Sequence, residues 1–244
     1  MSKRQKSKIV LPKEHGSWAM FILPVLIGIL FTEFKWIHLP FTIGWFFIFL
    51  LSTPLLNIFR SKRRKNQMMP WIYIYGSLAI IFLIPVLIAV PEIVLFGLAM
   101  IPFLIISILF IKAKNERSLI NDLSGILIFM IGGAASYYIG KESVTTEMFI
   151  LILITALYFL ASAFYIKSLI RKLKEPKYKW MSHIYHGLLL TVPFIIQWPA
   201  LIFAYLPATI KDWVTPRKRY RPMYLGITEI TNSVIFLVVL LIIN

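Results

Sequence analysis

The sequence predicts an all-α fold: a polytopic bundle of transmembrane helices forming a single integral membrane domain over residues 1–244. Three observations predict it. Of the 244 residues, 59% are hydrophobic and only 15% are charged, too few polar groups to cover a soluble core of this length. The apolar residues come in blocks close to the roughly 20 residues needed to cross a bilayer at ~1.5 Å per residue. Within those blocks polar and apolar residues do not alternate, as barrel strands would require.

The blocks predict nine helices, at 16–32, 39–59, 71–90, 92–111, 119–139, 147–168, 181–196, 199–212 and 224–243. Pro40, Pro70, Pro91, Gly140 with Lys141, Pro176, Pro199 and Pro222 punctuate them. Residues 1–15 form a basic tail. The apolar run Trp18 to Thr32 follows it without a small-x-small cleavage pattern, so an uncleaved first helix is expected. The stretch from His183 to Ile210 has two readings. It is one long kinked helix, giving eight in all, or two short helices meeting at Gln197-Trp198-Pro199.

Charge chooses between them. With nine helices and a cytoplasmic N-terminus, 24 of the 26 Lys and Arg residues lie inside, in the tail and after helices two, four, six and eight. Lys35 and Lys141 alone lie outside. With eight helices the cluster from Arg217 to Arg221 would face outward. Nine helices are therefore expected, with the C-terminus extracytoplasmic.

A net charge of +16 would suggest nucleic acid as the partner of a soluble protein. Here the basic residues form short clusters between apolar blocks, where they orient helices and meet anionic headgroups. The expected partners are membrane lipids, with no nucleic acid. There are no cysteines, which excludes disulfides, thiolate nucleophiles and Cys-based metal sites.

Ionisable groups are costly inside a membrane, so polar residues near helix ends are the candidates for chemistry. Asn57, Arg60, Arg117, Asn121, Asp122, Lys167 and Arg171 are the principal set; Glu14 and His15, where the first helix begins, are secondary. Snorkelling and topology account for most Lys and Arg residues. Asn57 and the Asn121-Asp122 pair have no topological role. His183 and His186, three apart, share a helix face. That spacing permits a metal pair, but no Cys or carboxylate cluster supports one, so interfacial or hydrogen-bonded histidines are expected. Glu229, with Thr228, Thr231 and Asn232, reads as an interhelical hydrogen-bonding patch.

The run Pro12-Lys13-Glu14-His15-Gly16-Ser17-Trp18-Ala19 resembles the YwiC-like family of bacterial membrane proteins. Asn115-Glu116-Arg117-Ser118, Asn121-Asp122-Leu123-Ser124-Gly125, Gly132-Gly133-Ala134 and Tyr165-x-Lys167-Ser168 with Arg171 agree with it. The resemblance covers most of the chain and brings no established activity. It implies a bacterial cytoplasmic membrane.

Nine helices with the N-terminus inside are also distantly similar to the UbiA superfamily of intramembrane prenyltransferases. Arg117-Ser118 followed by Gly125 and Gly132 resembles that superfamily's pattern between helices four and five. Asn57 falls where its first motif, Asn-Asp-x-x-Asp-x-x-x-Asp, would begin. That register puts Ile58, Ser61 and Lys65 where carboxylates belong. The second acidic motif falls on Tyr165, Lys167, Ser168 and Arg171. The family's carboxylates hold magnesium, and cations cannot replace such hard oxygen ligands. No cofactor is therefore expected, magnesium included.

Lys and Arg do bind phosphate oxygens directly. The expected function is to bind an anionic or isoprenoid lipid phosphate in a cytoplasm-facing cavity. Arg60, Arg117, Lys167 and Arg171 would converge there, with Asn57 and Asn121 as neutral partners. No catalytic residue is assigned, and a non-enzymatic role ranks ahead of catalysis. The alternatives are a divergent prenyltransferase using those cations in place of metal, and a transporter. The transporter ranks last because no paired broken helices are evident and Glu229 is the sole marginal midplane acid.

Overall fold

The computed structural model describes residues 9–12, 15–171 and 173–244, without the side chains of His15, Lys62 and Arg171. The helices are α1 (His15–Leu30), α2 (His38–Arg60), α3 (Lys65–Ala89), α4 (Ile93–Lys112), α5 (Leu119–Lys141) and α6 (Thr146–Ile166). They continue with α7 (Pro176–Leu189), the single turn α8 (Val192–Ile195), α9 (Ile202–Val214) and α10 (Pro222–Ile242). Apart from α8, these are nine helices of at least 13 residues among the described residues, and no strand occurs there.

Local chemistry explains the ends. Ser118 caps α5 by accepting the Asn121 N–H at 3.1 Å, and Thr145 caps α6 by accepting that of Met148 at 3.2 Å. Asp122 and Glu147 stand in the first turns, where the helix dipole favours a carboxylate. Proline opens α7 and α10, where its missing N–H costs nothing.

Six helices are long and apolar enough to cross a membrane: α2, α3, α4, α5, α6 with its extension to Ile170, and α10. The other three are shorter. At ~1.5 Å per residue, α7 and α9 each reach roughly 20 Å against a hydrocarbon core of about 30 Å. They form a hairpin, not one kinked helix: Ser182 meets Asp212, and the His186 carbonyl meets Thr209. The turn between them runs through Gln197, which adopts a left-handed conformation (φ 58°). Two starts differ from expectation. Helix α3 begins at Lys65, not 71, with Pro70 inside it. The carbonyl that Pro70 leaves without a donor belongs to Asn66, which is exposed and open to water. Helix α7 begins at Pro176, not 181, because its first turn is basic and lacks the apolar signal.

Two apolar cores share α1 and α5. One face of α1 (Ala19, Leu23, Ile27) and one of α5 (Ile126, Met130, Ala134, Tyr137) pack with α6, α7, α9 and α10. The other faces (Phe21 and Val25; Ala135 and Ile139) pack with α2, α3 and α4. Polar contacts join the centre. Ser136 Oγ donates to the Val25 carbonyl at 3.0 Å. The fully buried His38 accepts the Lys35 N–H on Nδ1 and donates from Nε2 to the Ser136 carbonyl, both at 3.0 Å.

The two central helices cross very closely. A Cβ added to Gly28 would lie 2.6 Å from the Tyr137 nitrogen, and one on Gly133 would lie 2.6 Å from Pro24 Cβ. These contacts pair α1 and α5 in parallel with an offset that puts Gly16 level with Gly125. There a Cβ on either residue would meet nothing within 4 Å. The helices touch at one end and part at the other. Opposite the parted end, Lys35 pairs with Glu142 at 2.5 Å and Trp198 Nε1 donates to the Ile243 carbonyl at 3.3 Å.

Candidate functional site

Where α1 and α5 part, a cavity of about 2710 Å³ opens among the basic loops. It is larger than the roughly 300–1,000 Å³ of most small-molecule pockets. Its depths are apolar, lined by Met20, Trp45, Phe49, Met100 and Phe129. Its rim is polar. Asn57, Arg60, Arg117, Asn121, Asp122 and Lys167 all line it, drawn from α2, the α4–α5 loop, α5 and the turn after α6.

Two ion pairs organise the rim. Arg60 holds Glu116 through Nε at 2.7 Å and Nη2 at 2.5 Å, and donates from Nη1 to Asn57 Oδ1 at 3.2 Å. Lys167, only 4% exposed, meets Asp122 Oδ2 at 2.8 Å. The arrangement joins α2 to the α4–α5 loop and α5 to the turn following α6. Asn121 donates from Nδ2 to the Glu116 carbonyl at 2.8 Å, while its Oδ1 is buried with no partner among the described residues. Arg117 is exposed. Glu14 lies outside the described residues, as do the side chains of His15 and Arg171.

His183 and His186 do not line this cavity. His183 Nδ1 hydrogen-bonds Asp212 Oδ2 at 2.6 Å, while His186 Nδ1 donates to the Ser182 carbonyl at 2.8 Å and lies 3.6 Å from the same carboxylate oxygen. Asp212 is fully buried and also accepts from Ser182 Oγ at 2.7 Å and Arg217 Nη2 at 2.6 Å. Among the described residues, no group of three or more His, Asp or Glu side chains is arranged to hold a metal ion.

Glu229 is buried on the cavity wall. It accepts from Ser162 Oγ of α6 and pairs with Lys211 of α9, an interhelical junction strengthened by an ion pair. Lys211 Nζ also sits 4.3 Å from the centre of the Tyr165 ring, with the Arg217 guanidinium at 5.7 Å. Sequence reasoning did not single out Asp212, and it counted Lys211 and Arg217 only as orienting charges. The available signal was an acid beside Lys211 at the end of an apolar run.

A family model described as "YwiC-like protein" matches residues 11–137, the stretch carrying α1 to α5 and five of the six described rim candidates. Two relatives are each 33% identical over 235 residues, or 96% of this chain. One is an "Uncharacterized protein" of Haemophilus influenzae, 98% covered, and the other is the "Uncharacterized protein YwiC" of Bacillus subtilis, 97% covered. The chain belongs to the YwiC-like family. Both alignments extend beyond the family model's reach, over 96% of the chain. No solved structure matches it.

Proposed function

We propose that this YwiC-like protein binds the phosphate of an anionic or isoprenoid lipid in the rim of the cavity, with the lipid's apolar part in the depths. One observation supports the reading above the others. Asn57, Arg60, Arg117, Asn121, Asp122 and Lys167, up to 110 positions apart in the chain, meet at a single polar rim over an apolar chamber. Orientation needs basic residues only on the correct side, pointing anywhere; a binding site needs them gathered.

The reading places the cavity on the cytoplasmic face of a bacterial membrane, with the N-terminus inside and the C-terminus outside. It regards the bundle as a distant relative of the UbiA superfamily whose metal-binding carboxylates have been replaced. Binding proceeds without magnesium, since Glu116 and Asp122 are already engaged by Arg60 and Lys167 and magnesium requires freely available oxygen ligands. A role without catalysis follows, because neutralising an anion in its ground state does not lower the barrier to cleaving it.

Two measurements test this. The first is titration of the detergent-purified protein with a fluorescent prenyl diphosphate, and native mass spectrometry for co-purifying lipid. Saturable binding, equal with and without EDTA, is expected; a strict magnesium requirement would overturn the metal-free reading. The second uses reporter fusions at Lys177, Gln197 and Lys218. Lys177 and Lys218 are expected inside and Gln197 outside; an external Lys218 contradicts the orientation.

A further inference from the structure

Among the described residues, the carboxylates on the cavity wall are all taken. Glu116 is held by Arg60, Asp122 by Lys167 and Glu229 by Lys211. Three further cations line the same cavity, Arg64, Lys114 and Arg117. All three are exposed, and none has a side-chain hydrogen bond or ion pair among the described residues. They come from two neighbouring segments: the turn after α2, and the α4–α5 loop that Arg60 ties to it through Glu116.

Lys114 carries a second peculiarity. It closes α4 in the left-handed region, φ 54°. Its N–H donates to the Ile111 carbonyl at 3.0 Å, and that of Asn115 to the Phe110 carbonyl at 2.9 Å. Glycine is the usual residue at such a helix end, because a Cβ is strained there. Glu142 adopts the same conformation, but its side chain pairs with Lys35. The Lys114 side chain has no such task among the described residues. A left-handed lysine at a cavity rim is a candidate ligand-binding group.

We propose that Arg64, Lys114 and Arg117 capture a phosphate bearing two negative charges, as in a phosphomonoester lipid. This rests on the lipid-phosphate reading above and narrows it. A phosphodiester brings one charge and would leave two of the three cations uncompensated. A phosphomonoester carries about −1.5 to −2 charge near neutral pH and offers three acceptor oxygens, matching three cationic donors. Arg64 and Lys114 thereby become ligand-binding residues, outside the pairs that hold the wall together.

The test uses isothermal titration of the full chain in a non-ionic detergent with three probes: dodecyl phosphate, dodecyl methyl phosphate and inorganic phosphate. At about pH 8 the monoester is doubly charged, and the two amphiphiles share one tail. Dodecyl phosphate is expected to bind about tenfold more tightly than its methyl ester, and Lys114→Gly to remove about that factor. Lys114→Gly should leave the Tm unchanged or higher, since it relieves the left-handed residue, while Lys114→Arg should keep the affinity. Equal affinity for the two amphiphiles, or unchanged dodecyl phosphate binding by Lys114→Gly, would overturn the dianion site. So would a lower Tm in Lys114→Gly, which would make the lysine a structural cap. Failure of both amphiphiles to bind would overturn the lipid-phosphate reading itself. Inorganic phosphate binding as tightly as dodecyl phosphate would remove the lipid from the site.

Discussion

Asp212→Ala is expected to lower stability by about 3–5 kcal/mol, the cost of leaving buried charge without its partner. The carboxylate is fully buried and draws together Ser182, His183, His186 and Arg217. Removing it leaves a guanidinium that is already short of partners, since Arg217 Nε and Nη1 are buried and unsatisfied among the described residues. The hairpin of α7 and α9 loses its strongest link. Unfolding of the purified protein in mixed micelles, followed by circular dichroism, measures the effect; a loss under about 1 kcal/mol would match a surface pair and contradict the assignment.

The second large effect concerns the rim. Asp122→Ala should cost about 3 kcal/mol, because the Lys167 ammonium would remain buried without its carboxylate. The double substitution Asp122→Asn with Lys167→Met should recover most of that loss, since two neutral groups carry no charge to desolvate. This cycle separates architecture from binding. A double variant that folds as stably as the wild type but no longer binds the fluorescent prenyl diphosphate assigns Lys167 to the ligand. One that folds and still binds assigns it to the wall alone.

Much of the helical plan was legible because its causes are local. Apolar runs, prolines and the one-sided basic residues marked all nine longer helices, including the hairpin at Pro199. Boundaries shifted where a first turn was polar, as at Lys65 and Pro176, since transfer into lipid leaves no mark on residues outside it. The rim could be anticipated at Asn57 and at Asn121-Asp122, polar groups with nothing to orient. The Asp212 cluster could not, because Ser182 and Asp212 are 30 positions apart and only the antiparallel hairpin brings them together. Nor does a sequence distinguish Lys167, buried and paired, from Lys177, which is exposed and near Glu175. In the sequence both belong to the basic run that follows the sixth apolar block, and only packing tells them apart.

The close crossing of α1 and α5 would serve as the fulcrum of any tilt between them. From Gly133 to Asp122 is 11 residues, about 16 Å of helix, so a rotation of about 5° at the crossing moves the rim by roughly 1.4 Å. That displacement is enough to break or make a hydrogen bond. Such a tilt would change the width of the cavity mouth through Pro24, Gly28 and Gly133, apolar residues outside its charged rim. If the rim takes a lipid headgroup as proposed, substitutions at the crossing should change which headgroups enter without altering a contact to them.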